Sequence, residues 1–158
     1  ELGSASGFFA IELMKLGHPK KIVGIDISTN AVKRANEIAR KEGLEDSCFF
    51  QQADAANFIL PKADISIGLG FLDYLNPNEI SKLFGSIKSQ YFLFTFSEKR
   101  LSFLRLIHIM YLISQKCPKH YYYSKKELID FVDSNYEDIK FVNHKKMSFG
   151  CIIHNLPI

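Results

Sequence analysis

The chain has 158 residues and a formal net charge of +3, with 47% hydrophobic and 23% charged residues. This composition is typical of one globular domain, and the small, scattered charge argues against nucleic-acid binding. The three cysteines form no C-x-x-C pair, the five histidines lack metal-ligand spacing, and no apolar run reaches membrane-spanning length. We therefore expect a cytoplasmic protein with no structural metal.

The first seven residues, E-L-G-S-A-S-G, are typical of a glycine-rich turn between a parallel strand and a helix. Gly3 and Gly7 allow a sharp bend and let a ligand approach the backbone without meeting a Cβ. The spacing fits neither the G-x-G-x-x-G fingerprint of dinucleotide-binding folds nor a phosphate-binding loop. Because Glu1 and Leu2 would be only the last residues of a first strand, we expect the natural protein to continue upstream.

An acid ends the next predicted strand. Helical spacing of apolar residues predicts a helix from Gly7 to Gly17, and the run Lys21 to Asp26 predicts a buried parallel strand. At the carboxyl end of that strand, the Asp26 carboxylate can accept hydrogen bonds from two ribose hydroxyls. The alternative is that Asp26 serves only the N-terminus of the following helix.

A second acid follows the third predicted strand. Ser28 or Thr29 is expected to cap a helix ending near Gly43, after which Cys48 to Gln52 is typical of a strand. Asp54 then lies at the carboxyl end of this strand, where it can meet a ligand. The alternative is an Asx turn, which Asp forms readily.

Residues 63–70 predict a fourth strand, and the loop from Phe71 to Leu75 follows it. Asp73 is the first candidate for a general base because it comes directly after this strand. Three further candidates lie near the expected pocket: Tyr74, His108 and His120. For the two histidines a plain surface or core role is favoured, since neither belongs to a motif.

The segment after the fifth predicted strand, Tyr91 to Phe96, is unusually apolar. From Leu101 to Ile113 apolar side chains cover nearly the whole helix surface, apart from one narrow polar stripe. We favour a lid on the substrate side, within residues 98–123, because helices lying on membranes usually carry a more strongly polar face. Docking on a membrane surface or a partner is the alternative.

Local signals define the remaining elements. Asn76 and Glu79 predict a capping box for one helix, and Ser124 and Glu127 predict another. Two strand-like runs close the chain and indicate an antiparallel hairpin at the sheet edge. The alternation of strands and helices predicts an α/β, Rossmann-like, doubly wound and mostly parallel sheet within a single domain spanning residues 1–158.

Taken together, these motifs resemble the class I S-adenosylmethionine-dependent methyltransferases, whose E-x-G-x-G-x-G turn matches here with Ala5 at the middle glycine. The resemblance implies a seven-stranded sheet with an N-terminally truncated first strand, S-adenosylmethionine as cofactor, and a small, possibly hydrophobic, methyl acceptor. The run Phe92 to Phe96 and the apolar helix after it also resemble, loosely, the magnesium-protoporphyrin O-methyltransferases.

The resemblance also implies which residues bind the cofactor. Glu1 and the turn residues Gly3, Ser4, Ala5, Ser6 and Gly7 would contact its methionine end. Asp26 would hold the ribose, Ile27 would pack on the adenine, and Asp54 with Ala55 would address the adenine amino edge. Leu69, just before the loop over the methyl donor, would also bind the cofactor, and Asp73 and Tyr74 are expected in the substrate pocket. Two outcomes stay open for Ala5: its methyl group crowds the backbone approach and weakens binding, or it is tolerated because its φ is negative.

Two other functions stay open at this point. One is a cofactor-binding module without transfer activity, since the turn departs from the family pattern at Ala5. The other is an interaction protein that docks on a membrane, without cofactor, through residues 101–113.

Overall fold

The computed structural model describes residues 1–17, 19–100, 107, 110, 120–132, 134–143 and 150–157, and the chain forms two compact units, Glu1–Leu60 and Pro61–Ile158. The elements of the first unit are α1 (Phe8–Lys15), β1 (Ile22–Asp26), α2 (Thr29–Lys41) and β2 (Cys48–Gln52). The second unit contains β3 (Ile65–Gly68), a short 3-10 helix (Leu72–Tyr74), α3 (Pro77–Ser86), β4 (Tyr91–Ser97), α4 (Lys125–Phe131), β5 (Lys140–Asn143) and β6 (Gly150–His154).

In the first unit, β1 and β2 pair in parallel, from Ile22 opposite Cys48 to Asp26 opposite Gln52. Leu2 forms a parallel bridge with Ile25, which confirms that the chain enters the turn from a strand position beside β1. The two helices bury small and branched side chains against β2, and the core of the unit consists of Ala10, Ile11, Val32, Ala35, Ala39, Cys48 and Phe50.

The Phe50 ring occupies space that only glycine neighbours leave open. A Cβ on Gly24 would lie 2.3 Å from Phe50 Cδ1, and a Cβ on Gly7 would lie 2.4 Å from Phe50 Cζ. Both distances are far below van der Waals contact, so these two glycines are required for packing. At Gly7 the backbone also needs a φ of +72°, which glycine adopts at least cost.

In the second unit the strand order is β3-β4-β6-β5. β3 and β4 are parallel, whereas β6 runs antiparallel to both β4 and β5. The closing hairpin is therefore confirmed, and its second strand lies inside the sheet while β5 forms the edge. Aromatic rings fill the core beneath this sheet, with Phe84 packed edge-on against Phe92 and Phe94.

Both predicted capping boxes are confirmed. At the start of α3, Glu79 N donates to Asn76 Oδ1 (3.1 Å) and Asn76 N donates to Glu79 Oε2 (2.7 Å). Ser124 and Glu127 make the same reciprocal pair at the start of α4. At α2 the cap is Ser28, whose Oγ accepts from Ala31 N.

Some expectations extend past what the described residues cover. The described residues form six strands in two sheets, so the seven-stranded sheet and the single domain stay predictions. Most of the apolar helix, with His108, lies outside the described residues; Ile107 and Met110 are described, and both are helical and exposed. Among the helices that the structure describes, none has the length and apolar character needed to cross a membrane.

Candidate functional site

The turn that enters α1 has a left-handed backbone at every second residue: φ is +68° at Gly3, +46° at Ala5 and +72° at Gly7. Gly3 N and Ser4 N both donate to Ile25 O, at 2.8 and 3.1 Å, so the turn is anchored to the end of β1. This repeated geometry lets several backbone groups face one ligand from the same loop.

Ala5 does not meet the condition of a negative φ under which its side chain would be tolerated without strain. Its φ of +46° places it in the left-handed region, where an L-residue is strained by roughly 1–2 kcal/mol. Ala5 therefore has the conformation for which the family turn uses glycine. It keeps that conformation because Ala5 N donates to Asp26 Oδ2 at 2.8 Å.

Asp26 closes the turn from the end of β1. Its Oδ2 accepts from Ala5 N and its Oδ1 accepts from Ser28 N, at 2.8 and 2.9 Å. The second bond serves the start of α2, as the alternative interpretation of Asp26 required. An ionised carboxylate offers about four acceptor positions, so about two remain for a pair of neighbouring hydroxyls.

Two buried polar atoms at the turn have no hydrogen-bond partner among the described residues. They are Glu1 Oε2 and Ser4 Oγ, and the Ser4 side chain is only 4% exposed. Burial also raises the pKa of the Glu1 carboxyl to about 7. A buried acceptor without a partner is costly, and a ligand ammonium placed here would satisfy Glu1.

Asp54 forms the Asx turn that was the alternative to an adenine contact. Its Oδ1 accepts from Ala56 N at 3.1 Å and its Oδ2 accepts from Asn57 Nδ2 at 2.7 Å. These bonds fix the carboxylate while leaving it exposed to solvent. In the part of the chain that the structure describes, no residue accepts from Ala55 N, so this buried residue presents an available backbone donor.

The first unit also exposes two large apolar side chains directly beside these polar groups. Ile27 follows Asp26 and is 70% exposed, and Phe8 follows Gly7 and is 73% exposed. An exposed branched side chain next to a carboxylate is the surface on which a flat heterocycle packs, because burial of both apolar faces is favourable. The position of Ile27 therefore fits the adenine contact that the resemblance implies.

The remaining predicted residues belong to the second unit. Leu69 is 41% exposed and Tyr74 is 51% exposed, whereas Asp73 is 7% exposed. Asp73 Oδ1 accepts from Ser97 N at 2.7 Å and Oδ2 accepts from Ser97 Oγ at 2.9 Å. Burial raises the pKa of Asp73 to about 6, while the two bonds from Ser97 act in the opposite direction.

Thus the first unit brings together Glu1, the turn residues and Asp26, with Ile27 adjacent, and the parallel register of β1 and β2 places Asp54 beyond the same strand ends. Leu69, Asp73 and Tyr74 belong to the second unit. Among the described residues, no group of three or more His, Cys, Asp or Glu side chains is arranged to hold a metal ion.

Sequence patterns missed two residues that support the site. Asn36 on α2 binds both backbone groups of Phe50: its Nδ2 donates to Phe50 O (2.8 Å) and its Oδ1 accepts from Phe50 N (3.1 Å). Gly24 leaves room for the Phe50 ring and for Ser4. Asn36 and Phe50 are 14 positions apart, a separation at which no local motif signals contact.

Comparison with known proteins agrees with this geometry. A sequence family described as a methyltransferase domain matches residues 1–86. The protein-lysine N-methyltransferase EFM4 of Saccharomyces cerevisiae is 36% identical over 78 residues, which cover 48% of this chain and 34% of the relative. The chain thus spans about a third of the length of that curated relative.

Solved structures show a shared fold. Magnesium protoporphyrin IX methyltransferase (ChlM) from Synechocystis PCC 6803, with bound SAH, gives a TM-score of 0.72 at 19% identity, over 97% of this chain and 70% of that chain. The S-adenosylmethionine-dependent methyltransferase SibL gives 0.76 at 12% identity, over 97% of this chain and 48% of that chain. The methyltransferase-domain family matches more than half of the chain, and the shared fold and the turn geometry agree with it. The chain therefore belongs to the class I S-adenosylmethionine-dependent methyltransferases.

Proposed function

We propose that this chain binds S-adenosylmethionine through the turn of its first unit and transfers the methyl group to an acceptor. The observation that carries the proposal is the left-handed turn closed by Asp26, whose carboxylate keeps acceptor positions beyond its two backbone bonds. Nucleotide ribose offers two adjacent hydroxyls of the required spacing, and an acid at this strand end is where such hydroxyls bind.

We assign the cofactor contacts as follows. Glu1 receives the ammonium of the methionine end, because its buried Oε2 otherwise lacks a partner. The backbone of residues 3–7 faces the remainder of that end. Asp26 takes the ribose, Ile27 covers one face of the adenine, and Asp54 with the free Ala55 N–H addresses its edge.

When bound, the cofactor supplies a methyl group already activated by a positively charged sulfur. The protein then has to hold donor and acceptor in line and keep water away, and positioning of this kind can contribute roughly 7–11 kcal/mol to lowering a barrier. We expect Leu69 to contact the cofactor beside the methyl donor and Tyr74 to lie on the acceptor side, with the segment 98–123 as its cover.

Two acceptor classes have support. The first is a small, hydrophobic molecule, favoured by the apolar character of residues 101–113 and by the structural similarity to a magnesium protoporphyrin IX methyltransferase. The second is a protein lysine, favoured by the 36% identity to a protein-lysine N-methyltransferase. That identity covers 48% of the chain.

The first experiment is titration calorimetry of S-adenosylmethionine against the wild-type chain, Asp26→Ala and Asp46→Ala. We expect micromolar binding by the wild type and a loss of about 2–4 kcal/mol in Asp26→Ala, roughly 30- to 1000-fold, because hydrogen bonds to a charged group contribute about 1.5–3 kcal/mol each. Asp46 is exposed and makes no contact with the turn. The variant Asp46→Ala loses the same charge as Asp26→Ala, so its affinity for S-adenosylmethionine should stay within twofold of the wild type. No binding by the wild type would refute the proposal.

Transfer of a labelled methyl group then separates the acceptor classes. Magnesium protoporphyrin IX and a lysine-containing peptide are offered in parallel with the cofactor. Label on one of them identifies its class. Tight cofactor binding with no label on either favours a binding module without transfer to these acceptors.

A further inference from the structure

Asp73 is the only buried acid among the described residues, and it is 7% exposed. Both of its oxygens accept from Ser97, one from the backbone N–H and one from the hydroxyl. A general base must reach the proton that it removes, so this arrangement points to a different role.

Asp73 lies where three pieces of the second unit meet. The first is the 3-10 helix Leu72–Tyr74, which contains it. The second is the end of β4 at Ser97. The third is the return segment, residues 120–123, where Tyr121 N donates to the backbone oxygen of Asp73 at 2.7 Å.

The return segment is also bound directly to the end of β4. Tyr123 N donates to Ser97 O at 3.1 Å, and Lys99 N donates to Tyr123 O at 2.9 Å. The Tyr123 hydroxyl, which is buried, donates to Leu75 O at the end of the 3-10 helix. These bonds form a closed network in which the Asp73 carboxylate contributes the two bonds to Ser97.

This network carries an aromatic surface. The Tyr74 ring meets the His120 ring edge-on with centroids 6.0 Å apart, and His120 meets Tyr122 in the same way at 4.8 Å. Tyr74 is half exposed, and it follows β3 at the carboxyl end of a parallel strand, the edge at which α/β folds bind ligands.

We propose that Asp73 is a positioning residue for methyl acceptance: its carboxylate fixes Ser97 and thereby holds the return segment and Tyr74 in the arrangement that meets the acceptor. The inference rests on the proposed function. In this role Asp73 takes no proton from the acceptor. The acceptor contacts the surface formed by the rings of Tyr74, His120 and Tyr122.

Amide hydrogen exchange tests the inference through three amides: Tyr121, Tyr123 and Lys99. Each donates to a backbone carbonyl and none to the carboxylate. A change in their exchange therefore reports movement of the segment, not the direct loss of a bond. We expect Asp73→Ala to speed exchange at all three at least tenfold, while the ladder amides shared by β3 and β4 stay within twofold.

Two further variants sharpen the test. Asp73→Asn keeps one acceptor for Ser97 N and can donate to Ser97 Oγ, so it should restore most of the protection. Ser97→Ala removes only the hydroxyl bond and should give a smaller increase at the same three amides. If Asp73→Ala does not fold, Ser97→Ala decides between the outcomes. The nuclear Overhauser contact between the Tyr74 and His120 rings should weaken in step with exchange.

Unchanged exchange at the three amides would overturn the inference, and so would an equal increase at the ladder amides, which would indicate a purely structural role. Calorimetry with S-adenosylmethionine runs in parallel on every variant. Cofactor affinity should stay within twofold in the Asp73 variants, because the proposed contacts lie in the first unit. Failure of the wild type to bind would count against the proposed function and leave the exchange result to be judged separately.

Discussion

Ala5 stores backbone strain at the centre of the proposed cofactor site. Its left-handed φ of +46° is held by one hydrogen bond to Asp26, and its Cβ projects from a turn in which the alternate left-handed residues are glycines. Strain of this kind persists where the surrounding contacts overdetermine the conformation, and it is concentrated at ligand-binding loops. Replacing the residue therefore tests the conformation itself.

We expect Ala5→Gly to raise the free energy of unfolding by about 0.5–1 kcal/mol. Glycine relieves roughly 1–2 kcal/mol of left-handed strain in the folded chain. Its larger conformational entropy in the unfolded chain offsets about 0.5–1 kcal/mol of that gain. Urea denaturation measures the difference. Ala31→Gly is the matched control: Ala31 lies in the first turn of α2, so the same exchange should lower stability. A loss of stability in both variants would contradict the strain interpretation.

At the scale of elements, glycine has opposite roles in β1 and α3. Gly24 is buried in β1, where any Cβ would overlap the Phe50 ring and touch Ser4. Gly85 lies in the last turn of α3, is exposed, and has no atom within 4 Å of the position that a Cβ would take. The first glycine is imposed by packing, whereas the second only weakens its helix.

Substituting alanine at the two positions should therefore give effects of opposite sign. Gly24→Ala is expected to cost about 1–3 kcal/mol, because Phe50 must leave its position between α2 and the sheet. Gly85→Ala is expected to gain up to about 1 kcal/mol, because alanine is the better helix former. Thermal unfolding of both variants beside the wild type checks the pair. Equal effects would show that β1 relaxes around the new methyl group.

The elements that could be predicted from sequence are those fixed by local contacts. The capping boxes at Asn76 and Ser124 join residues three positions apart, so the residue types at these positions are enough to predict them. The contacts of Asn36 and Gly24 with Phe50 join distant positions, and they became visible only once α2 and β2 were packed together. For the same reason the polar partners of Asp73 were missed, since Ser97 lies 24 residues away.

For the molecule as a whole, buried carboxyls set an unusual dependence of stability on pH. Burial raises the pKa of Asp73 from 3.8 to about 6, and burial raises that of Glu1 to about 7. Between pH 4 and 6 the folded chain therefore binds more protons at these groups than the unfolded chain does. Their contribution to the free energy of unfolding must fall as the pH rises through this window.

The variant Asp73→Asn isolates one of the two groups. Between pH 4.5 and 7.5, the wild type should lose on the order of 2 kcal/mol more stability than the variant, since each pKa unit corresponds to about 1.4 kcal/mol. Hydrogen bonds from Ser124 lower the pKa of Glu127 to about 2. Its contribution to the pH dependence is the same in both proteins, so it cancels from the comparison. Urea denaturation at the two pH values measures the difference, and parallel pH dependences of the two proteins would refute it.

Because β6 lies between β4 and β5, both of these strands must wait for it during synthesis before their facing edges are paired. Strand β5 is made before β6, yet its described partner in the sheet is β6, through pairs such as Phe141 with Ile153. Until residues 150–154 leave the ribosome, the open edge of β4 and the unpaired β5 both offer backbone groups to other chains. Strand β6 therefore protects the nascent protein from aggregation at these two edges, and a ribosome that stalls before Gly150 leaves both of them exposed.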